Sequence, residues 1–361
     1  MTMAVALGGF GGFNLHGAGV LEALRRLDLR PDLFTVTSGQ IVVLAEWLKG
    51  GDAKAFLLGH GGRPGPLRTL TTAVTGHAGV FRPAAAETLA SWFTIPLTSA
   101  ALAERLMPAR QYVPVFSRES LAGVAATLEA AAVGVVFNTY DYQAGHGVLH
   151  ANTAALARMP SDVELQPITA EAIESALWLY LYGFREAPQG RIDGAYHRSL
   201  ILSELHGFDH VVAACPFPTD WGREAPSNSL EVEDWKVKQW FSNSYRAEVA
   251  RLRKVIALVG KGTLNDPDYA IQSLIEIPIR SRWGYFDYFT EKEEVFEQAM
   301  ADALVALAPY CAGAAARRPD PDIVPAAVPG AVAAQPRAPQ AGLRARLASR
   351  LGLRGASRDE A

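Results

Sequence analysis

Residues 33–43 read LFTVTSGQIVV. An apolar run ends at Thr37-Ser38-Gly39 and passes at once into a second apolar run. The first run is composed like a buried strand, and IVVLAEWLKG (41–50) like a helix. Two explanations of Ser38 compete. In one it is a nucleophile on a tight strand-to-helix turn, lifted clear of the sheet with the helix dipole facing a developing oxyanion. In the other it is an ordinary helix N-cap. The usual nucleophile turn is G-x-S-x-G. Here Val36 and Gln40 stand at the two glycine positions, and Gly39 directly after the serine is expected to supply the torsional freedom instead.

Upstream, the strand MAVAL (3–7) runs into LGGFGGFNLHGAGVLEAL (7–24), whose helical period extends over 17–27. Glycines 8, 9, 11 and 12 precede that helix. Such a turn gathers unpaired backbone N–H groups at a helix N-terminus, where negative charge is favoured. Two chemistries use this arrangement: dinucleotide pyrophosphate binding and an oxyanion hole. The dinucleotide pattern G-x-G-x-x-G fails at its third glycine, which is Asn14, although Asp28 and Asp32 lie near where a ribose-binding acid stands.

Further along, 32–36, 133–141, 210–217 and 269–280 read as strands. Residues 168–183, 233–259 and 291–310 read as helices. Near-continuous apolar strands alternating with helices predict an α/β fold with a mostly parallel sheet covered on both faces. The stretch 52–130 has many Gly and Pro residues and little strand pattern, which predicts an insertion or lid over one end of the sheet. Residues 313–340 are rich in Ala, Pro and Arg and read as a disordered linker. In 341–361, Leu343, Leu347 and Leu351 repeat at the spacing of Arg346, Arg350, Arg354 and Arg358 on another face. That is a short basic amphipathic helix, either a solvated tail or an anchor for an anionic membrane surface.

The chain has 361 residues, 49% hydrophobic and 20% charged, enough for a sizeable core. A net charge of -3 argues against a general nucleic-acid binder. Cys215 and Cys311 form neither a disulfide framework nor a zinc spacing. The opening MTMAVALGGF lacks a basic leader region, so a cytoplasmic, peripherally membrane-associating protein is expected.

In order and spacing these motifs resemble the patatin-like phospholipase family, over roughly residues 3–310. The shared features are GGFGGFNLHGAGVLEAL, RPDLFTVTSGQIVVLAEWLKGG, VVFNTYDYQAGH, ITAEAIESALWLYLYGF and RIDGAYHRS. The resemblance implies a three-layer α/β sandwich and a Ser-Asp dyad, here Ser38 and Asp193. It implies an oxyanion hole from Gly11, Gly12 and Gly39, an acyl lipid such as a phospholipid as substrate, and neither metal nor organic cofactor. The chain departs from the family loop at Phe13 and Asn14, where a basic residue and a glycine are usual. It also departs after Asp193, where Tyr196-His197-Arg198 stand in place of a small polar stretch. An alternative expectation is therefore a weakly active or inactive member that binds lipid or acts as a scaffold. His16 and His197 are candidates for a third catalytic group, and His146 and His150 for metal ligands. The aromatic runs at 178–184 and 283–289 are candidates for core or for the lining of an acyl channel.

Overall fold

The computed structural model describes residues 1–311 except 62–71, 73–75, 77–80, 94–97, 107, 219–220, 222–223 and 281–284. The predicted linker and basic tail, and Trp283, lie outside the described residues. In chain order the elements begin with β1 (Met3–Leu7), α1 (Asn14–Arg26), β2 (Leu33–Val36), α2 (Gln40–Leu48) and α3 (Ala53–Gly61). Next come β3 (Phe81–Pro83), α4 (Ala85–Trp92), α5 (Ser99–Leu106), β4 (Tyr112–Pro114), α6 (Arg118–Glu129), β5 (Gly134–Asp141) and β6 (His146–Ala151). The remainder are α7 (Thr153–Leu156), β7 (Leu165–Pro167), α8 (Ala170–Ala176), β8 (Arg191–Asp193), β9 (His210–Cys215), α9 (Ser229–Gly260), β10 (Ser273–Pro278) and α10 (Glu293–Leu307).

The main sheet runs β10-β9-β1-β2-β5-β6-β7. The first five strands of that order are mutually parallel, β6 is antiparallel to β5, and β8 pairs antiparallel with β5. Every residue of β1 and β2 is buried. Successive side chains of a strand point to opposite faces, so burial of all of them means that both faces are covered. The expected mixed α/β architecture with a mostly parallel sheet flanked by helices is present. From β1 the chain steps to β2 on one side and returns later as β9 on the other. In open α/β sheets, sites form at the carboxyl ends of strands flanking such a reversal.

Register explains how two residues 155 positions apart come together. Val36, the last residue of β2, pairs with Phe137 of β5. Two residues further along β5, Thr139 pairs with Asp193. Had β2 continued straight, Ser38 would lie opposite Thr139. The chain instead turns away at Thr37-Ser38, and β8 takes the vacated place in the sheet.

One sequence expectation needs correction. Residues 168–183 are not one helix: α8 ends at Ala176, and a single 3-10 turn follows at Tyr180–Tyr182. The Trp178 carbonyl accepts the Asp193 N–H, and that of Leu181 accepts the Gln111 N–H, so these groups serve tertiary partners. Within residues 52–130, β3 and β4 pair antiparallel. These strands, and β7 and β8 in the main sheet, are three residues long, too short to show a period. Elsewhere α1 begins at Asn14, earlier than its period suggests. It packs closely on α10 because a Cβ at Gly19 would lie 2.5 Å from the Phe296 carbonyl oxygen.

Candidate active site

The serine turn is built from both sides. Thr37 N–H still donates to the Leu7 carbonyl at 3.1 Å, so β2 stays tied to β1 until one residue before Ser38. Ser38 then adopts φ 53°, a left-handed conformation in which a residue with a Cβ is strained. The N-cap of α2 is Gly39, with no side-chain capping bond, so Ser38 is not the helix cap; Gly39 is right-handed at φ -55°, so the left-handed torsion falls on Ser38 itself and not, as expected, on the glycine. Gly9 lies directly against the turn. A Cβ there would sit 2.3 Å from the Thr37 carbonyl oxygen and 2.7 Å from Ser38 Cβ. Thr37 joins three segments: its Oγ1 accepts the Gly9 N–H at 2.9 Å and donates to the Ser199 carbonyl at 3.0 Å.

Gln40, at a position where the family motif has glycine, is accommodated by a glycine elsewhere. Its side chain lies over Gly17 of α1, where a Cβ would be 2.3 Å from Oε1. Its Nε2 donates to the Asn14 carbonyl at 2.9 Å. The room lost at the turn is recovered on the facing helix.

Asp193 is held with equal care. Its Oδ1 accepts the Ala195 N–H at 2.8 Å. Asn138 of β5 donates from Nδ2 to the carbonyls of Gly194 and Arg198, both at 3.0 Å. Gly194 is required because a Cβ would lie 2.3 Å from Asn138 Cγ. Arg198 is anchored in turn by Glu204 at 2.6 Å and Glu248 at 2.9 Å. Burial pushes the Asp193 carboxyl up to about 7, and the nearby Ser38 hydroxyl and the Ala195 N–H oppose that rise. A carboxylate that titrates near neutrality beside a hydroxyl is a candidate general base.

Ser38 and Asp193 line one cavity of about 520 Å³, together with Gly11, Gly12 and Gly39. The backbone N–H groups of these three glycines donate to no protein acceptor among the described residues. Gly11, at φ 49°, is pressed against Tyr288, and Gly12 against Thr290. Added Cβ atoms would lie 2.6 and 2.4 Å from the respective carbonyl oxygens. No local pattern signals that 287–292 wraps the glycine loop. Lys292 of this strap places its ammonium 5.1 Å from the Phe13 ring centroid. Positive charge thus lies near the loop although Phe13 stands where the patatin-like pattern has a basic residue.

Most of the rest of the wall is apolar and comes from distant segments: Phe56 and Leu57 of α3, Phe81 and Tyr112 of the small sheet, and Trp240 and Phe241 of α9. The two aromatic runs divide between roles. Tyr180, Tyr182, Tyr288 and Phe289 line the cavity, whereas Trp178 is buried and donates to the Gly183 carbonyl. The volume is that of a small-molecule site, which typically spans about 300–1,000 Å³.

Neither candidate histidine lines the cavity. His16 is buried within α1, and burial lowers its pKa to about 4. His197 is exposed and stacks on Tyr140, with ring centroids 5.3 Å apart. His150 is a buried residue of β6 whose Nε2 lies 3.1 Å from Thr139 Oγ1. No cluster of three or more potential metal ligands occurs among the described residues. Both cysteines are free thiols. No described helix is long and apolar enough to cross a membrane.

No protein-family model matches the chain, and no curated protein matches it. Among solved structures it is similar to the crystal structure of VipD from Legionella pneumophila. The two share 11% identity at a TM-score of 0.33, over 84% of this chain and 67% of VipD. A likeness of that degree says nothing about chemistry, which rests on the residues themselves.

Proposed function

We propose that this chain is a serine-dependent acyl hydrolase of the patatin-like kind, acting on carboxylic esters of lipids. One observation carries the reading: a serine in a left-handed strand-to-helix turn shares an apolar cavity with a buried aspartate, and its hydroxyl is close enough to lower that carboxyl's pKa against the effect of burial. In this mechanism ionised Asp193 takes the Ser38 proton as Oγ attacks the ester carbonyl carbon. The N–H groups of Gly11, Gly12 and Gly39 receive the oxyanion, each well-placed donor contributing about 3 kcal/mol to the transition state. The tetrahedral intermediate collapses, and the departing alcohol takes the proton from Asp193. Water, deprotonated by Asp193, then attacks the acyl-Ser38 ester. Collapse of that second intermediate releases the fatty acid and returns a proton to Ser38. The aromatic walls hold the acyl chain.

A second reading, lipid binding without turnover, draws on a different observation. The first N–H groups of α1 already donate to the carboxylate of Glu291, which weakens the helix's pull on an oxyanion. Fatty-acid release from an acyl ester by purified protein separates the two. Release that disappears in Ser38→Ala supports hydrolysis. Bound lipid without release from the wild-type protein supports the second reading.

A further inference from the structure

Helix α1 has no side-chain cap of its own, since Phe13 occupies the N-cap position. The cap comes from far along the chain. Glu291 Oε1 accepts the Asn14 N–H at 3.1 Å and Oε2 accepts the Leu15 N–H at 2.9 Å. Glu291 also lines the cavity that holds Ser38. The Asn14 side chain lies against the serine turn, its Nδ2 2.6 Å from where a Cβ of Gly39 would fall.

The charges of the cavity do not balance around this group. Lys236 pairs with Glu233 of the same wall at 2.7 Å. Lys292, next to Glu291 in sequence, directs its ammonium to Asp287 at 3.3 Å. No cation lies within ion-pair distance of Glu291 or Asp193 among the described residues, and the cavity lining contains no arginine. The helix N-terminus that would attract a phosphate is thus already occupied by an internal carboxylate.

We propose that Glu291 makes this site selective for acyl esters that carry no net negative charge beside the ester, such as acylglycerols, and turns away esters bearing an anionic phosphate there. The inference rests on the hydrolase reading and narrows its substrate class. An anionic group beside the ester would face Glu291 while Lys236 and Lys292 are engaged by Glu233 and Asp287, and in a partly dehydrated cavity that repulsion is substantial.

The test is a matched pair, monooleoylglycerol and oleoyl lysophosphatidic acid, presented in neutral detergent micelles. Burial pushes Glu291 up to about 7, so the assay is run near pH 8.5, where both carboxylates are ionised. Wild-type kcat/KM is expected to favour the neutral ester by at least about tenfold, a preference that narrows as salt is raised. Glu291→Gln retains one oxygen that can accept from either Asn14 or Leu15 and removes the charge; in a variant shown to be folded it should shrink the ratio about fivefold. A salt-independent ratio, or the same ratio in a folded Glu291→Gln protein, overturns the inference while leaving the hydrolase reading intact. Equal or faster turnover of the phosphate ester by the wild type does the same. Absence of Ser38-dependent turnover of both esters overturns both.

Discussion

Replacing Asp193 with Asn separates what the carboxylate does for catalysis from what it costs the fold. Burial pushes Asp193 from an ordinary 3.8 up to about 7, roughly three pH units. At about 1.4 kcal/mol per unit, the linked stability is about 4 kcal/mol. The sign follows from proton counting. Between about pH 4 and 7 the unfolded chain has lost this proton while the folded protein keeps it. The stabilising contribution is therefore complete below pH 4, falls as pH rises towards 7 and is flat above it. An asparagine does not titrate. The stability of Asp193→Asn relative to wild type should consequently grow by about 4 kcal/mol from pH 4 to pH 8. Glu291 titrates in the same direction but is present in both proteins, so it cancels. Urea denaturation of the two proteins across that range reads the difference directly. Wild-type kcat/KM should rise through pH 7 as the base ionises, and the variant should show almost no turnover. A stability difference that stays flat with pH would mean that the carboxylate is not held protonated by burial, and would remove the physical basis for treating it as a near-neutral base.

Other expected outcomes follow from the turn and its packing. Ser38→Gly should raise stability by about 1 kcal/mol by relieving the left-handed φ, and Ser38→Ala should leave it nearly unchanged. Both should abolish ester hydrolysis, checked by thermal melts beside fatty-acid release. Gly9→Ala forces a Cβ against the Thr37 carbonyl and should cost about 1–3 kcal/mol, with a drop in kcat beyond that of a peripheral core variant. Deleting residues 313–361 should weaken sedimentation with anionic vesicles and leave hydrolysis of a short water-soluble ester unchanged. Vesicle binding that survives the deletion would place the contact elsewhere.

What could be read in the sequence depended on run length. β1, β2, β9 and α1 are continuous or periodic apolar stretches, so local pattern and tertiary burial agree. Ser38 was legible because strand, turn and helix are contiguous. Asp193 was legible only through the order of several motifs, since β8 is three residues long and carries no period. The compensation between Gln40 and Gly17 was hidden: the two are 23 positions apart, and each looks unremarkable alone. The same holds for Glu291. Nothing local distinguishes it from the other acids of EKEEVFEQ, and its role arises only because the chain crosses the glycine loop there. The cavity wall was illegible as a whole, being assembled from α3, the small sheet, the 177–182 segment and α9.

The central claim is that Asp193 activates Ser38, and covalent labelling by a fluorescent fluorophosphonate tests it most directly. Wild-type protein should be labelled at Ser38, with the adduct located by peptide mass spectrometry. Ser38→Ala should not be labelled, and Asp193→Ala should label far more slowly despite retaining the serine. A folded wild-type protein that takes no label at Ser38, or an Asp193→Ala protein labelled at the wild-type rate, would contradict the account.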